Sequence, residues 1–132
     1  MRGKIRTALI YGSTREGRFC DRVAGWVASE IAVRNAFSVD FVDPDTLGLP
    51  SRHERELAPA VARLRERIGK ADAYIVVTPE YNHGYPAALK FVIDSVRDEW
   101  RAKPVGFVSY GGLSGGLARW SNSGSSLRSF TP

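Results

Sequence analysis

Four short apolar runs, separated by segments of helical periodicity, constrain this chain more than any other feature. Ile5 to Tyr11 (IRTALIY) is a mostly apolar strand run closed by Gly12-Ser13-Thr14, and Phe19 to Ile31 then places Val23, Val27 and Ile31 at helical spacing. Phe37 to Val42 (FSVDFV) alternates as a strand, and Asp43 to Pro59 is polar with three prolines, which predicts a long connection. Ala60 to Ile68 sets Val61, Leu64 and Ile68 on one face with arginines opposite, and Gly69 follows as a helix stop. Ala73 to Val77 (AYIVV) is continuously apolar, the pattern of a strand buried on both faces in a parallel sheet, and is placed centrally. Ala87 to Val96 carries Leu89, Val92, Ile93 and Val96 at helical spacing, and Val105 to Val108 (VGFV) is a fourth strand.

Strands that alternate with helices of this length build βαβ units, so the expected class is α/β with a doubly wound parallel sheet. The 132 residues fit one domain but are short for a complete sheet of this kind. The net charge of +5 raises the question of a polyanionic partner, yet the arginines are mostly interleaved with Glu or Asp, as on solvated helix faces, so no nucleic acid is expected. No apolar run approaches the roughly 20 residues that cross a bilayer. The first residues also lack a small-residue cleavage site, and the expectation is a cytoplasmic protein with no membrane partner. One cysteine, Cys20, excludes an internal disulfide framework and a Cys-rich zinc site.

In a doubly wound sheet, ligands sit beyond the carboxyl ends of the strands, which directs attention to three loops. The first is Gly12 to Cys20 (GSTREGRFC). Its small and hydroxylated residues let backbone amides and the Ser13 and Thr14 hydroxyls approach an anion, Arg15 and Arg18 add charge, and the following helix adds its dipole. The loop lacks both the Walker ending and the dinucleotide spacing, so a phosphate monoester fits better than a pyrophosphate; an ordinary polar turn is the bland alternative. The second is Thr78 to Pro86 (TPEYNHGYP), where two prolines and a glycine impose a defined path on which a flat heteroaromatic ring can lie, framed by Tyr81 and Tyr85. No titratable partner for His83 is evident beside it in sequence. The third is Ser109 to Gly116 (SYGGLSGG), whose four glycines permit close approach of backbone to ligand, although a merely flexible loop has the same composition.

Gly12-Ser13-Thr14-Arg15, then Thr78 to Lys90 (TPEYNHGYPAALK), then Ser109-Tyr110-Gly111-Gly112 resemble, in that order, the NADPH-dependent FMN reductase family of flavodoxin-like proteins, which includes flavin, quinone, chromate and azo-dye reductases. The likeness covers roughly residues 5 to 118. It implies a flavodoxin-like fold, noncovalently held FMN, and two electrons passed from NADPH or NADH through the flavin to a small soluble acceptor, in a homodimer or homotetramer. By the same resemblance Ser13, Arg15 and the backbone from Gly17 through Arg18 and Phe19 to Cys20 hold the FMN phosphate. Pro79, Glu80, Tyr81, Asn82 and Gly84 line the isoalloxazine, and Ser109, Gly111 and Gly112 its other edge. Many relatives have serine where Arg18 stands and asparagine where Cys20 stands. The flavin carries the chemistry in such enzymes, so no catalytic side chain and no metal ligand is singled out.

The likeness stops after Leu117, where relatives continue with a helix, a fifth strand and a last helix. The expectation is therefore an FMN-binding domain over residues 1–118 with four strands, the fifth missing, followed by an irregular Ser-rich tail over 119–132. Two other readings share the fold: a flavodoxin-type electron carrier, although such carriers are usually acidic, and a truncated remnant without catalysis.

Overall fold

The computed structural model describes residues 3–111 of the chain. The elements in order are β1 (Ile5–Tyr11), α1 (Cys20–Ala32), β2 (Phe37–Val42), α2 (Pro59–Lys70), β3 (Ala73–Pro79), α3 (Ala87–Ser95), a turn of 3-10 helix at Asp98–Trp100, and β4 (Val105–Tyr110). All strand pairs are parallel and the order across the sheet is β2-β1-β3-β4. That is the flavodoxin-like order through its first four strands, and the direction of winding reverses between β1 and β3.

Helices cover both faces, as parallel strands require. Leu64 and Ile68 of α2, Leu89, Val92 and Ile93 of α3, and Trp100 pack with Ala8, Ile10, Val42, Tyr74 and Val76 on one side of the sheet. On the other side Cys20, Ala24 and Val27 of α1 pack on Leu9 and Val77. The alternation follows from the strand period of two, and each fully buried Leu or Ile contributes about 1.5–3 kcal/mol. Two polar tips are satisfied inside this core. Tyr74 Oη lies 2.8 Å from the carbonyls of both Ile68 and Glu99 and donates to one at a time, while Trp100 Nε1 donates to the carbonyls of Val96 (3.0 Å) and Ile93 (3.2 Å). Burial holds the Tyr74 phenol above its ordinary pKa.

Several boundaries differ from the sequence expectation for identifiable reasons. α2 starts one residue earlier because Pro59 occupies its first turn, and it passes through Gly69 to Lys70; the stop comes from Ala71, which turns extended (ψ 145°). β3 and β4 each run two residues past their apolar cores, because Thr78 and Pro79 pair with Ser109 and Tyr110. Asp98–Trp100 forms a helical turn that no periodicity marked. β4 is the edge of the sheet among the described residues, and the proposed tail over 119–132 lies outside them.

Candidate functional site

The winding reversal opens a crevice at the carboxyl ends of β1 and β3, and the loops from both strands meet there. The strands lie close because residue 12 is glycine. Its N–H donates to the Val77 carbonyl at 2.7 Å, and a Cβ at this position would fall 2.8 Å from the Thr78 side chain. Ser13 is buried immediately beyond; its Oγ accepts from the Arg15 N–H (3.2 Å) and lies 3.1 Å from Tyr81 Oη, tying the first loop to the second. The Arg15 guanidinium rests over the Tyr81 ring, 4.3 Å from its centre. Among the described residues no carboxylate pairs with Arg15. Gly17 adopts φ +66°, and the helix that follows has no side-chain cap at Phe19, so its first amides keep the orientation that suits an anion.

Arg18, grouped with Arg15 by sequence, is committed differently. It donates to both carboxylate oxygens of Asp43 (2.8 and 2.5 Å), to Asp21 (2.9 Å) and to the Ser13 carbonyl (2.6 Å). Its side chain is only 10% exposed, and that of Asp43 16%. The guanidinium is held well above its ordinary pKa chiefly by the Asp43 hydrogen bonds. Burial alone would raise the Asp43 carboxyl, but bonds from Arg18 and the Asp45 amide outweigh it and hold the group below its usual range. Arg18 thus braces the loop against the connection after β2. Asp43 and Tyr11, whose ring lies 4.9 Å from the Arg18 guanidinium, are site-building residues that sequence reasoning passed over. The only trace of Asp43 in sequence is its position at the end of a strand.

The second loop is a miniature hairpin. Tyr81 and Gly84 exchange backbone hydrogen bonds of 3.0 Å each, and the two residues between them, Asn82 (φ 51°) and His83 (φ 62°), both lie in the left-handed region. Glu80 donates its N–H to the Tyr110 carbonyl (3.0 Å), continuing the β3–β4 ladder by one step. Pro79 is buried in the strand itself, and Tyr85 packs against the larger core cluster. At the third segment, Tyr110 meets Phe19 edge-on with ring centres 5.7 Å apart, which joins β4 to the first loop. Cys20 is fully buried; its thiol points at the Val77 carbonyl (3.5 Å), and burial raises its pKa, as it does for the neighbouring Tyr110 phenol. Ser109 and Gly111 end the described chain beside this cluster, and Gly112 lies outside the described residues.

The structure therefore brings Ser13, Arg15, Phe19, Tyr81 and Tyr110 into one connected group, with Arg18 and Cys20 beneath it and Asn82 and Gly84 at its rim. Two grooves among the described residues lie elsewhere: one of about 270 Å³ between the connection after β2 and α3, and one of about 370 Å³ at the amino ends of β1 and β2. The described helices include none long and apolar enough to cross a membrane, and the described residues contain no cluster of metal-ligating side chains.

The sequence profile of the NADPH-dependent FMN reductase family matches residues 5–123. An NAD(P)H-dependent FMN reductase of Schizosaccharomyces pombe is 37% identical over 120 residues, an alignment covering 82% of this chain and 58% of that one. A 2-hydroxy-1,4-benzoquinone reductase of a Burkholderia species is 35% identical over 114 residues, covering 86% of this chain and 58% of that protein. The chain thus spans somewhat more than half the length of these relatives. Among solved structures, the flavoenzyme NAD(P)H:(acceptor) oxidoreductase FerB from Paracoccus denitrificans superposes with a TM-score of 0.78 at 23% identity, over 96% of this chain and 72% of its own, a likeness of fold. On the strength of the profile match and these relatives, the chain belongs to the NADPH-dependent FMN reductase family.

Proposed function

We propose that residues 1–118 form an FMN-binding unit of an oxidoreductase that takes two electrons from NADPH or NADH and passes them to a small soluble acceptor such as a quinone. The observation that carries this reading is the meeting of Ser13, Arg15 and Tyr81 at the winding reversal, next to a helix start without a side-chain cap. These residues suit the two ends of a flavin mononucleotide. Arg15, with no carboxylate partner among the described residues, suits a phosphate, as do the amides after Gly17; the rigid hairpin from Glu80 to Gly84 and the aromatic rings of Tyr81 and Tyr110 suit a flat ring. Pro79 and Ser109 fix where that hairpin leaves the sheet, and Asn82, Gly84 and Gly111 allow backbone to approach the ring closely, while Gly112 joins the proposed site on the family resemblance alone. Bound flavin supplies the capacity to accept a hydride from a reduced nicotinamide and to release the electrons to an acceptor. Arg18 holds the phosphate loop in shape through Asp43, and Phe19 with Cys20 closes its floor.

We read the working protein as a cytoplasmic homodimer or homotetramer without nucleic-acid or membrane partners. The pairing of Arg6, Arg18 and Arg67 with Asp72, Asp43 and Asp40 supports the part of this reading that concerns nucleic acid, because it consumes basic charge that a polyanion would need. The deciding experiment is an absorbance spectrum of the purified protein followed by anaerobic addition of NADPH. Flavin bands that bleach on addition are expected. Flavin that stays oxidised identifies an electron carrier, and a colourless protein that cannot be loaded with FMN refutes the reading.

A further inference from the structure

We infer that His83, oriented by Glu80, delivers the proton that an organic acceptor needs when it is reduced at the crevice. This inference rests on the proposed function. The first observation is conformational. A two-residue hairpin turn with both central residues in the left-handed region is satisfied most cheaply by Asn-Gly. Here the order is Asn82-His83 with glycine one place later, and His83 is held at φ 62°. A side chain in that region costs about 1 kcal/mol, so an imidazole stands where the backbone would prefer none.

The second observation is the contact that sequence alone did not reveal. His83 Nδ1 lies 3.4 Å from Glu80 Oε1, and the two side chains differ sharply in exposure: 73% for His83 and 8% for Glu80. A nearly buried carboxylate thus faces one ring nitrogen at ion-pair distance, and Nε2 is left on the opposite side of the ring. The third observation is place. His83 sits two residues beyond Tyr81, whose hydroxyl reaches Ser13 across the crevice and whose ring carries Arg15 from the first loop. Among the described residues, Glu80 on the same turn and Arg15 from the opposite loop bring charge to this rim.

Reduction of a quinone-type acceptor by two electrons adds a hydride, which here derives from the reduced nicotinamide, and one proton. As the carbonyl oxygen gains charge, the Nε2–H bond of protonated His83 breaks, its electron pair stays on nitrogen, and a new O–H bond forms. The neutral ring then regains a proton from water. Glu80 is a positioning residue in this scheme, and general-acid assistance of this type is worth about 100-fold or more in rate.

The test compares benzoquinone, which requires a proton, with ferricyanide, which takes one electron and none. In FMN-loaded protein, His83→Gly should melt no lower than the parent, since glycine relieves the turn. Its quinone-to-ferricyanide rate ratio should fall by about 100-fold. His83→Gln should fall equally, and free imidazole should restore part of the quinone rate. Independently of flavin, the chain has only two histidines, His53 and His83, so ring ¹⁵N shifts are readily assigned. Neutral His83 should carry its proton on Nδ1, and Glu80→Ala should abolish that preference. An unchanged rate ratio in both His83 variants, or ring shifts indifferent to Glu80→Ala, overturns the inference. If the parent binds no flavin or reduces neither acceptor, the proposed function has failed instead.

Discussion

Arg18→Ala separates the two arginines of the first loop, because Arg18 is tied to Asp43 and the Ser13 carbonyl, whereas Arg15 is the residue proposed to meet the FMN phosphate. The mutation removes two hydrogen bonds to Asp43 and one to the Ser13 carbonyl, and leaves Asp43 largely shielded from water without its cation. Charge-assisted bonds at such a site contribute about 1.5–3 kcal/mol, and the largely exposed contact to Asp21 adds no more than about 1 kcal/mol. The expected loss is about 3 kcal/mol, or about 10 °C in the melting temperature of a domain this size. Arg15→Ala should leave the melt of the flavin-free protein within about 1 °C, since Arg15 is exposed and meets only a ring, while weakening FMN by about 10- to 100-fold. The pH dependence has a definite sign. The Asp43 carboxyl is depressed in the folded state, so its contribution is complete above about pH 4, the ordinary carboxylate value, and is lost as pH falls through the folded value. The gap between parent and Arg18→Ala should therefore be constant from pH 6 to 8 and narrow below about pH 4. Differential scanning calorimetry and flavin fluorescence titration measure the two quantities. A full-strength melt in Arg18→Ala, or a large loss of stability in Arg15→Ala, would refute this division of labour.

Gly12→Ala should destabilise the fold by about 2–3 kcal/mol, read as a lower urea midpoint, because the new Cβ would stand 2.8 Å from Thr78 and 2.9 Å from the Val77 carbonyl. Tyr74→Phe should cost about 1–2 kcal/mol in the same assay, since the buried phenol donates inside the core and its removal leaves a carbonyl unpaired. Asp72, bonded by the Arg6 side chain and amide, has its pKa lowered to about 2 from 3.8, so it stabilises the fold above the higher value and ceases to do so as pH drops toward the lower one. Asp72→Asn should therefore flatten the acid limb of the unfolding curve between those values; a limb of unchanged slope counts against the pair.

The strand and helix order was legible because a parallel sheet buried on both faces needs continuous apolar runs, as in Ala73 to Val77, and these announce themselves. The ends of β3 and β4 were hidden. Thr78-Pro79 and Ser109-Tyr110 have the composition of a loop, yet they extend the ladder, because pairing depends on the neighbouring strand rather than on local propensity. The loops that carry Ser13, Arg15 and Tyr81 do meet, since strand ends converge wherever winding reverses. Grouping by loops could not distinguish Arg15 from Arg18: the partner that decides the matter, Asp43, is 25 residues away in sequence and is brought near only by the pairing of β1 with β2. Glu80 and His83 were both in view, but their contact depends on a left-handed turn that residue types alone do not dictate.

The two sides of the sheet are unequally filled: thirteen buried side chains cluster beneath α2 and α3, against five beneath α1 among the described residues. Amide exchange should reflect that imbalance. Protons on α2 and β3 would persist to the global unfolding limit, whereas those of α1 would exchange through a smaller, earlier opening. Cys20 is the natural reporter of that event, because its thiol is inaccessible until α1 lifts away from Val77. The candidate phosphate loop leads directly into this helix. A ligand gripping the loop would then slow thiol labelling at Cys20 without touching the sulfur, and the labelling rate would become a clock for how tightly the site is held.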